Sequence, residues 1–340
     1  MCKLGIAAAL ALLALVATLA IPLEEWRTGD AGLAPLDYAP PPLESRATRR
    51  IWIDTDAACG YGPRTDPDDC LAVAMLARQP ALRIAGISTV AGNAPREVVD
   101  RTVTELASRA TRSLPVFTDG RGPLIAALED GPLTLVALGP LTNVAAVLDA
   151  RPDLRPRVAR LVAVMGRRPG HIFHPGENAS GGAFLGHGPV FRDFNFAMDE
   201  AAAARVLAMD LPLTLVPYDA ARGFELTARD LDRLSAAGGA LAWAAAHARG
   251  WLRYWREDMG REGFFPFDLL AAAYVVAPEG FGCARVRASV SADTTLFIPF
   301  WRPTALLVDR GERRLDDARV VGSALYCGSV SQGLEDRLLN

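Results

Sequence analysis

An α/β fold, a mainly parallel open sheet with helices on both faces, is predicted by two observations. Short apolar strands alternate with helices from Ile51 to Val216. Carboxylates gather where the first strand ends and the next helix begins, the place where open α/β sheets bind ligands. The 340 residues are 51% hydrophobic and 22% charged, with formal net charge -3, which is enough apolar content for one large domain. No basic excess points to nucleic acid as a partner.

The elements follow in order. Ile51-Trp52-Ile53 reads as a short buried strand with Asp54 and Asp56 at its end. Asp66 suits an N-cap, Pro67 the first helical position, and the apolar run from Cys70 continues the helix. Leu82 to Val90 reads as the second strand, ended by Ala91-Gly92-Asn93, and Pro95 to Ala107 as a helix. Leu133 to Leu138 is a buried strand, Gly139-Pro140 a turn, and Leu141 to Leu148 a helix. Leu161 to Met165 is a strand, Glu200 to Met209 an Ala-rich helix, and Leu213 to Val216 a strand before Tyr218-Asp219. Arg287 to Val290 and Thr294 to Phe300 read as strands of a tail packed on the domain.

The N-terminus differs. Gly5 to Leu23 is uncharged and almost wholly apolar behind Lys3, so residues 1–23 are expected to be a secretory signal or an uncleaved membrane anchor. Residues 24–49, with Pro40-Pro41-Pro42, read as an extended linker, and 50–340 as the domain. The domain is therefore expected outside the cytoplasm, periplasmic or extracellular, touching a membrane only through its N-terminal segment. Export permits disulfides. Cys59 and Cys70 flank a Gly-containing stretch they could staple; buried free thiols are the alternative.

Asp54, Asp56, Asp66, Asp68 and Asp69 converge between that strand and that helix. Carboxylates so close repel and raise one another's pKa unless a cation is present. A hard divalent cation removes the conflict, and calcium tolerates irregular oxygen shells best. Helix capping explains Asp66, Asp68 and Asp69, but not Asp54 and Asp56. His171 and His174 sit in a Gly-rich loop, where exposure is a commoner role than zinc binding.

These residues carry a resemblance to the inosine-uridine-preferring nucleoside hydrolases. Asp54-Thr55-Asp56 with Asp68-Asp69-Cys70-Leu71-Ala72 resembles the D-x-D-P-G-x-D-D-A signature, with Ala57 to Pro67 in place of the short P-G-x link. Val90-Ala91-Gly92-Asn93 resembles T-V-x-G-N, and Gly139-Pro140-Leu141-Thr142-Asn143 the G-x-L-T-N turn. Asp193-Phe194-Asn195 resembles the E-F-N segment with Asp for Glu, and Glu177-Asn178-Ala179-Ser180 the E-G-N-A-T segment. Phe267-Asp268 resembles the H-D of H-D-P-x-A-V-A-Y, with Phe267 in place of the His that helps the base leave. The likeness covers roughly residues 50 to 280.

The resemblance implies calcium held by Asp56, Asp69, Asp268 and the main-chain carbonyl of Leu138. It implies Asp56 as general base, Asp54 orienting the loop from behind, and Asp68, Asn93, Asn178, Asp193 and Asn195 on sugar hydroxyls. Trp251 and Trp255 stand one helical turn apart; they are core residues by default and a wall for a flat base by the resemblance. The implied activity is calcium-dependent hydrolysis of N-glycosidic bonds in ribonucleosides or related N-ribosides. Phe267 favours the alternative of a weak or inactive nucleoside-binding protein on the same scaffold. A structural calcium domain displayed at a membrane is a third reading, and a homo-oligomer is compatible with all three. In the loop Ala57 to Pro67, Arg64 or Tyr61 is the candidate replacement for the missing His, against a plain solvated insertion.

Overall fold

The computed structural model describes residues 6, 9–13, 33–42, 49–62, 64–169, 193–293, 304–313 and 318–334. Strands β1 (Arg49–Thr55), β2 (Leu82–Thr89), β3 (Val116–Phe117), β4 (Leu133–Ala137), β5 (Val158–Ala163), β6 (Leu213–Leu215), β7 (Phe281–Ala292), β8 (Thr304–Asp309) and β9 (Val320–Val330) form one sheet. Its order is β3-β2-β1-β4-β5-β6-β9-β7-β8. Neighbours from β3 to β9 are parallel, and β7 is antiparallel to both β9 and β8.

The helices are α1 (Asp68–Arg78), α2 (Arg96–Ser108), α3 (Arg121–Glu129), α4 (Thr142–Ala150), α5 (Phe194–Met198), α6 (Glu200–Leu207), α7 (Tyr218–Ala221), α8 (Ala228–Ala236), α9 (Gly239–Glu257) and α10 (Phe267–Val276). Side chains alternate across a strand, and the core divides accordingly. Ile51, Ile53, Val136 and Val162 pack with α1, α9 and α10 on one face. Trp52, Leu135, Leu161 and Ala163 pack with α3, α4 and α6 on the other. Strands buried on both faces are what a parallel sheet with helical crossovers requires.

Two expectations are corrected. The C-terminal region is not a tail laid on the domain: β7 to β9 extend the sheet itself, and Leu215 of β6 pairs with Tyr326 of β9. Val286, Ala288 and Val290 of β7 are buried at alternate positions, so this stretch completes the core. Thr294 to Phe300 lies outside the described residues. Part of the expected linker is also docked. Leu36 is buried, Ala39 bridges to Cys283 through paired backbone hydrogen bonds of 2.9 and 2.8 Å, and Arg168 donates to the Ala34 carbonyl at 2.8 Å.

Disulfides join Cys59 to Cys70 and Cys283 to Cys327. The first ties the start of the inserted loop to the first turn of α1. Among the described residues no helix is long and apolar enough to cross a membrane, and most of Gly5 to Leu23 lies outside them.

Candidate active site

The chain runs from β1 outward to β2 and β3, then returns to β4 on the other side of β1. That reversal opens a crevice at the carboxyl ends of β1 and β4. Helices α1 and α10 pack together with both N-termini at this edge, which brings Asp68 and Asp69 to Asp268. Ligand oxygens of these three buried carboxylates lie within 4.8 Å of one another. The Asp268 backbone N–H donates to Asp68 Oδ2 at 2.8 Å, tying the two helix starts directly. Asp66 accepts from the Asp68 N–H at 3.2 Å; helix α1 begins at Asp68, one residue later than the expected Pro67.

Asp56 stands beside the trio. Its Oδ2 accepts the Asn93 N–H at 2.8 Å, and Asn93 Nδ2 donates to Asp69 Oδ2 at 3.1 Å. Thr55 Oγ1 donates to the other Asp69 oxygen. Both turn glycines are required by close neighbours: a Cβ on Gly92 would lie 1.9 Å from Asp56 Oδ2, and one on Gly139 2.7 Å from Val90 Cγ1 and 3.0 Å from Asp56 Oδ1. The Leu138 carbonyl, at the end of β4, accepts from Asn195 Nδ2 at 2.6 Å.

Burial pushes every one of these carboxyls toward the protonated form. Asp69 is pushed up to about 6 by burial and then by the Asp68 charge. Asp268 is pushed well above the ordinary range by burial and then by Asp68 and Asp69, and Asp56 by burial and then by Asp69. Burial also raises Asp68. Asp56 Oδ1 and Asp268 Oδ1 are buried without a hydrogen-bond partner. Unsatisfied buried carboxylate oxygens, crowded and oxygen-only, fit a hard divalent cation.

Asp54 is buried behind this floor. Its Oδ1 accepts from Ser88 Oγ at 2.6 Å and Asn143 Nδ2 at 2.9 Å, and Asn143 also holds the Thr89 carbonyl at 2.8 Å. Asp54 and Asn143 thus lock the ends of β1 and β2 to the start of α4.

Above the floor lies a cavity of about 390 Å³. Asp68, Asn93, Asp193, Asn195 and Asp268 line it. Asp193 caps α5 by accepting the Phe196 N–H at 3.3 Å, and takes the Gly166 N–H at 2.6 Å; burial pushes it up to about 6. Trp251 and Trp255 line the cavity with Tyr218, Phe194 and Phe267. Trp251 and Trp255 meet edge to face at 6.1 Å, and Trp255 packs on Phe265 at 4.9 Å.

The family model described as inosine-uridine preferring nucleoside hydrolase matches residues 123–320. The chain belongs to this family. Membership makes it a hydrolase of N-glycosidic bonds in ribonucleosides. The match runs past residue 280 into β9, so the likeness is longer than its motifs. The pyrimidine-specific ribonucleoside hydrolase RihA of Enterobacter sp. (strain 638) is 25% identical over 256 residues, 63% of this chain and 77% of that protein. The non-specific ribonucleoside hydrolase RihC of Salmonella paratyphi A is 26% identical over 274 residues, 69% of this chain and 81% of that protein. In solved structures the fold is similar to a plant nucleoside hydrolase, PpNRh1, with TM-score 0.64 at 18% identity over 86% of this chain and 98% of that one. The inosine-uridine preferring nucleoside hydrolase of Bacillus anthracis gives TM-score 0.61 at 14% identity over 86% and 99%.

Against the nucleoside hydrolase motifs, three placements differ from expectation. The tight carboxylate trio includes Asp68, expected on a sugar hydroxyl, beside Asp69 and Asp268, with Asp56 next to it. Arg64 reaches only the cavity rim: its side chain is 66% exposed, pairs with Asp258 at 3.1 Å and lies over the Tyr254 ring. Tyr61 is 57% exposed and does not line the cavity. Asn178, His171 and His174 lie outside the described residues. The motifs gave no notice of Tyr218 or Arg167 in the cavity wall. Both follow the carboxyl end of a parallel strand, β6 and β5, which was the available signal.

Proposed function

We propose that this site hydrolyses the bond between a ribose anomeric carbon and a heterocyclic nitrogen, with Asp56 as general base and a calcium ion as cofactor. One observation carries the reading: carboxylates some 200 positions apart in the chain (|i−j| = 200 for Asp68 and Asp268) meet on the floor of a cavity flanked by Asn93, Asp193 and Asn195. Asp56, Asp69, Asp268 and the Leu138 carbonyl would hold the ion. Bound there, calcium supplies Lewis acidity that makes water more acidic.

Asp56 accepts the proton of the attacking water. Its Oδ2 is anchored by the Asn93 N–H, while its Oδ1 has no protein partner and is available for that proton. Asp68, Asn93, Asp193 and Asn195 bind the sugar hydroxyls and fix the ring. Carboxylates under the sugar also stabilise the oxocarbenium-like transition state. Asp54 positions Asp56 through the rigid end of β1. Trp251 and Trp255 wall the base.

Residues 1–23 are proposed to direct export or anchor the chain, followed by a Pro-rich connection that docks through Leu36 and Ala39, and the domain from residue 50. Two disulfides support an oxidising compartment. A fusion to a reporter active only after export should be active; a soluble cytoplasmic full-length product would contradict this. The activity is tested by incubating purified protein with a ribonucleoside panel in ¹⁸O-water, with calcium. Free ribose carrying the label, in equal amount to free base, is expected; no ribose from any member would remove the proposal.

A further inference from the structure

We infer that the leaving group this cavity suits best is a cationic heterocycle, ribose joined to a quaternary ring nitrogen as in a pyridinium or N7-alkylated purinium riboside. The inference rests on the hydrolytic reading above and names its substrate class.

The leaving-group side of the cavity is aromatic. Trp251, Trp255, Tyr218 and Phe267 line it, and the cluster continues behind through Phe265, which meets Phe267 edge to face at 6.4 Å. Aromatic faces attract cations through the ring quadrupole, most strongly when desolvated. The outer side of this same cluster already takes cations. The Arg64 guanidinium lies 4.9 Å from the Tyr254 ring centre, and that of Arg261 4.7 Å from Phe265.

The charge of the cavity points the same way. Asp66, Asp68, Asp193 and Asp268 line it, against Arg64 and Arg167. Both arginines are ion-paired, Arg64 to Asp258 and Arg167 to the fully buried Asp293. Neither cationic side chain among the described lining residues is therefore unpaired against a positive ligand.

The chemistry closes the argument. A neutral base leaves as an anion unless a group donates a proton to it. Phe267, the residue next to Asp268 at the leaving-group side, has no proton to give. A cationic base needs none. The C1′–N bond breaks, its electron pair goes to the ring nitrogen, and the positive charge there is cancelled. The water oxygen bonds to C1′ and its proton passes to Asp56. Ribose and a neutral heterocycle result, and atoms and charge balance.

Two measurements on the calcium-loaded protein test this. The first is kcat/KM, relative to each compound's spontaneous hydrolysis, for nicotinamide riboside, 7-methylguanosine, guanosine, uridine and nitrophenyl riboside. The two cationic ribosides should exceed guanosine and uridine by at least about 100-fold. The second is competitive inhibition of nitrophenyl riboside cleavage by 1-methylnicotinamide and by neutral nicotinamide. The cation should bind about 10-fold more tightly, a ratio that Trp251→Leu brings toward one and Trp251→Phe largely keeps. Cleavage of nitrophenyl riboside with no preference for cationic ribosides or inhibitors overturns the inference and leaves the hydrolase reading standing. No cleavage of any riboside overturns both.

Discussion

Replacing Asp54 by Asn probes the electrostatic load carried under the site. Asp54 is 2% exposed; its Oδ1 accepts two hydrogen bonds, while Oδ2 is buried without a partner. Burial pushes its pKa from 3.8 up to about 6, the bonds from Ser88 and Asn143 only partly opposing this. The folded protein therefore binds more protons than the unfolded chain between these two values. Stability from this group is full below 3.8 and is lost as pH rises through 6. About 2 pH units at 1.36 kcal/mol each make roughly 3 kcal/mol of destabilisation at pH 7.5. An amide in place of the carboxyl carries no such load. It also forms or misses hydrogen bonds, worth about 1–3 kcal/mol, but those terms do not change with pH. The expected result is that Asp54→Asn minus wild-type stability grows by about 2–3 kcal/mol between pH 4 and pH 7.5. The assay is urea unfolding of chelator-treated protein across that range. A difference that stays flat, or that shrinks as pH rises, would refute the claim that Asp54 is held against ionisation.

Other outcomes are expected. Asp268→Asn should abolish calcium binding by calorimetry and ribose release, with an unchanged circular dichroism spectrum; retained binding would remove Asp268 from the ligand set. Cys59→Ser with Cys70→Ser should lower unfolding stability by about 3 kcal/mol, since the closed loop spans a separation of 11 residues. No loss would mean the pair does not constrain the unfolded chain. Tyr61→Phe should leave kcat and KM unchanged, and Arg64→Ala should cost under about 1 kcal/mol of stability because its ion pair is exposed. A large kcat loss in either would restore the loop to the mechanism. Asn195→Ala should raise KM for a nucleoside at least about 10-fold by removing a buried amide at the sugar edge that also holds the Leu138 and Val164 carbonyls, and an unchanged KM would place the sugar elsewhere.

Much of this site was readable because parallel strands leave clear marks. Apolar runs such as Leu133 to Ala137 end in Gly and Asn, and those glycines are now seen to be forced by Asp56 against Gly92 and by Val90 and Asp56 against Gly139. Asp268 was legible only through its motif, since nothing local in Phe267-Asp268 says that α10 starts against α1. The length of the sheet was not legible. Strands β7 to β9 are mixed in composition, and β9 inserts between β6 and β7, a pairing no local pattern specifies. The inward turn of Arg64 failed for a similar reason. Its partners Asp258 and Tyr254 lie at and just past the end of α9, far along the chain, and they hold it at the rim. Docking of residues 33–42 was hidden by their prolines, which read as linker although Leu36 and Ala39 supply a buried side chain and a backbone bridge.

The carboxylate floor is proposed to be a cation-dependent hydrolytic site. The rate of ribose release against free calcium concentration, for wild type and Asp56→Asn in parallel, tests it most directly. No release in chelator, a saturating rise as calcium is restored to wild type, and at least about a 100-fold lower plateau for Asp56→Asn are expected. A wild-type rate indifferent to calcium, or an Asp56→Asn plateau equal to wild type, would contradict it.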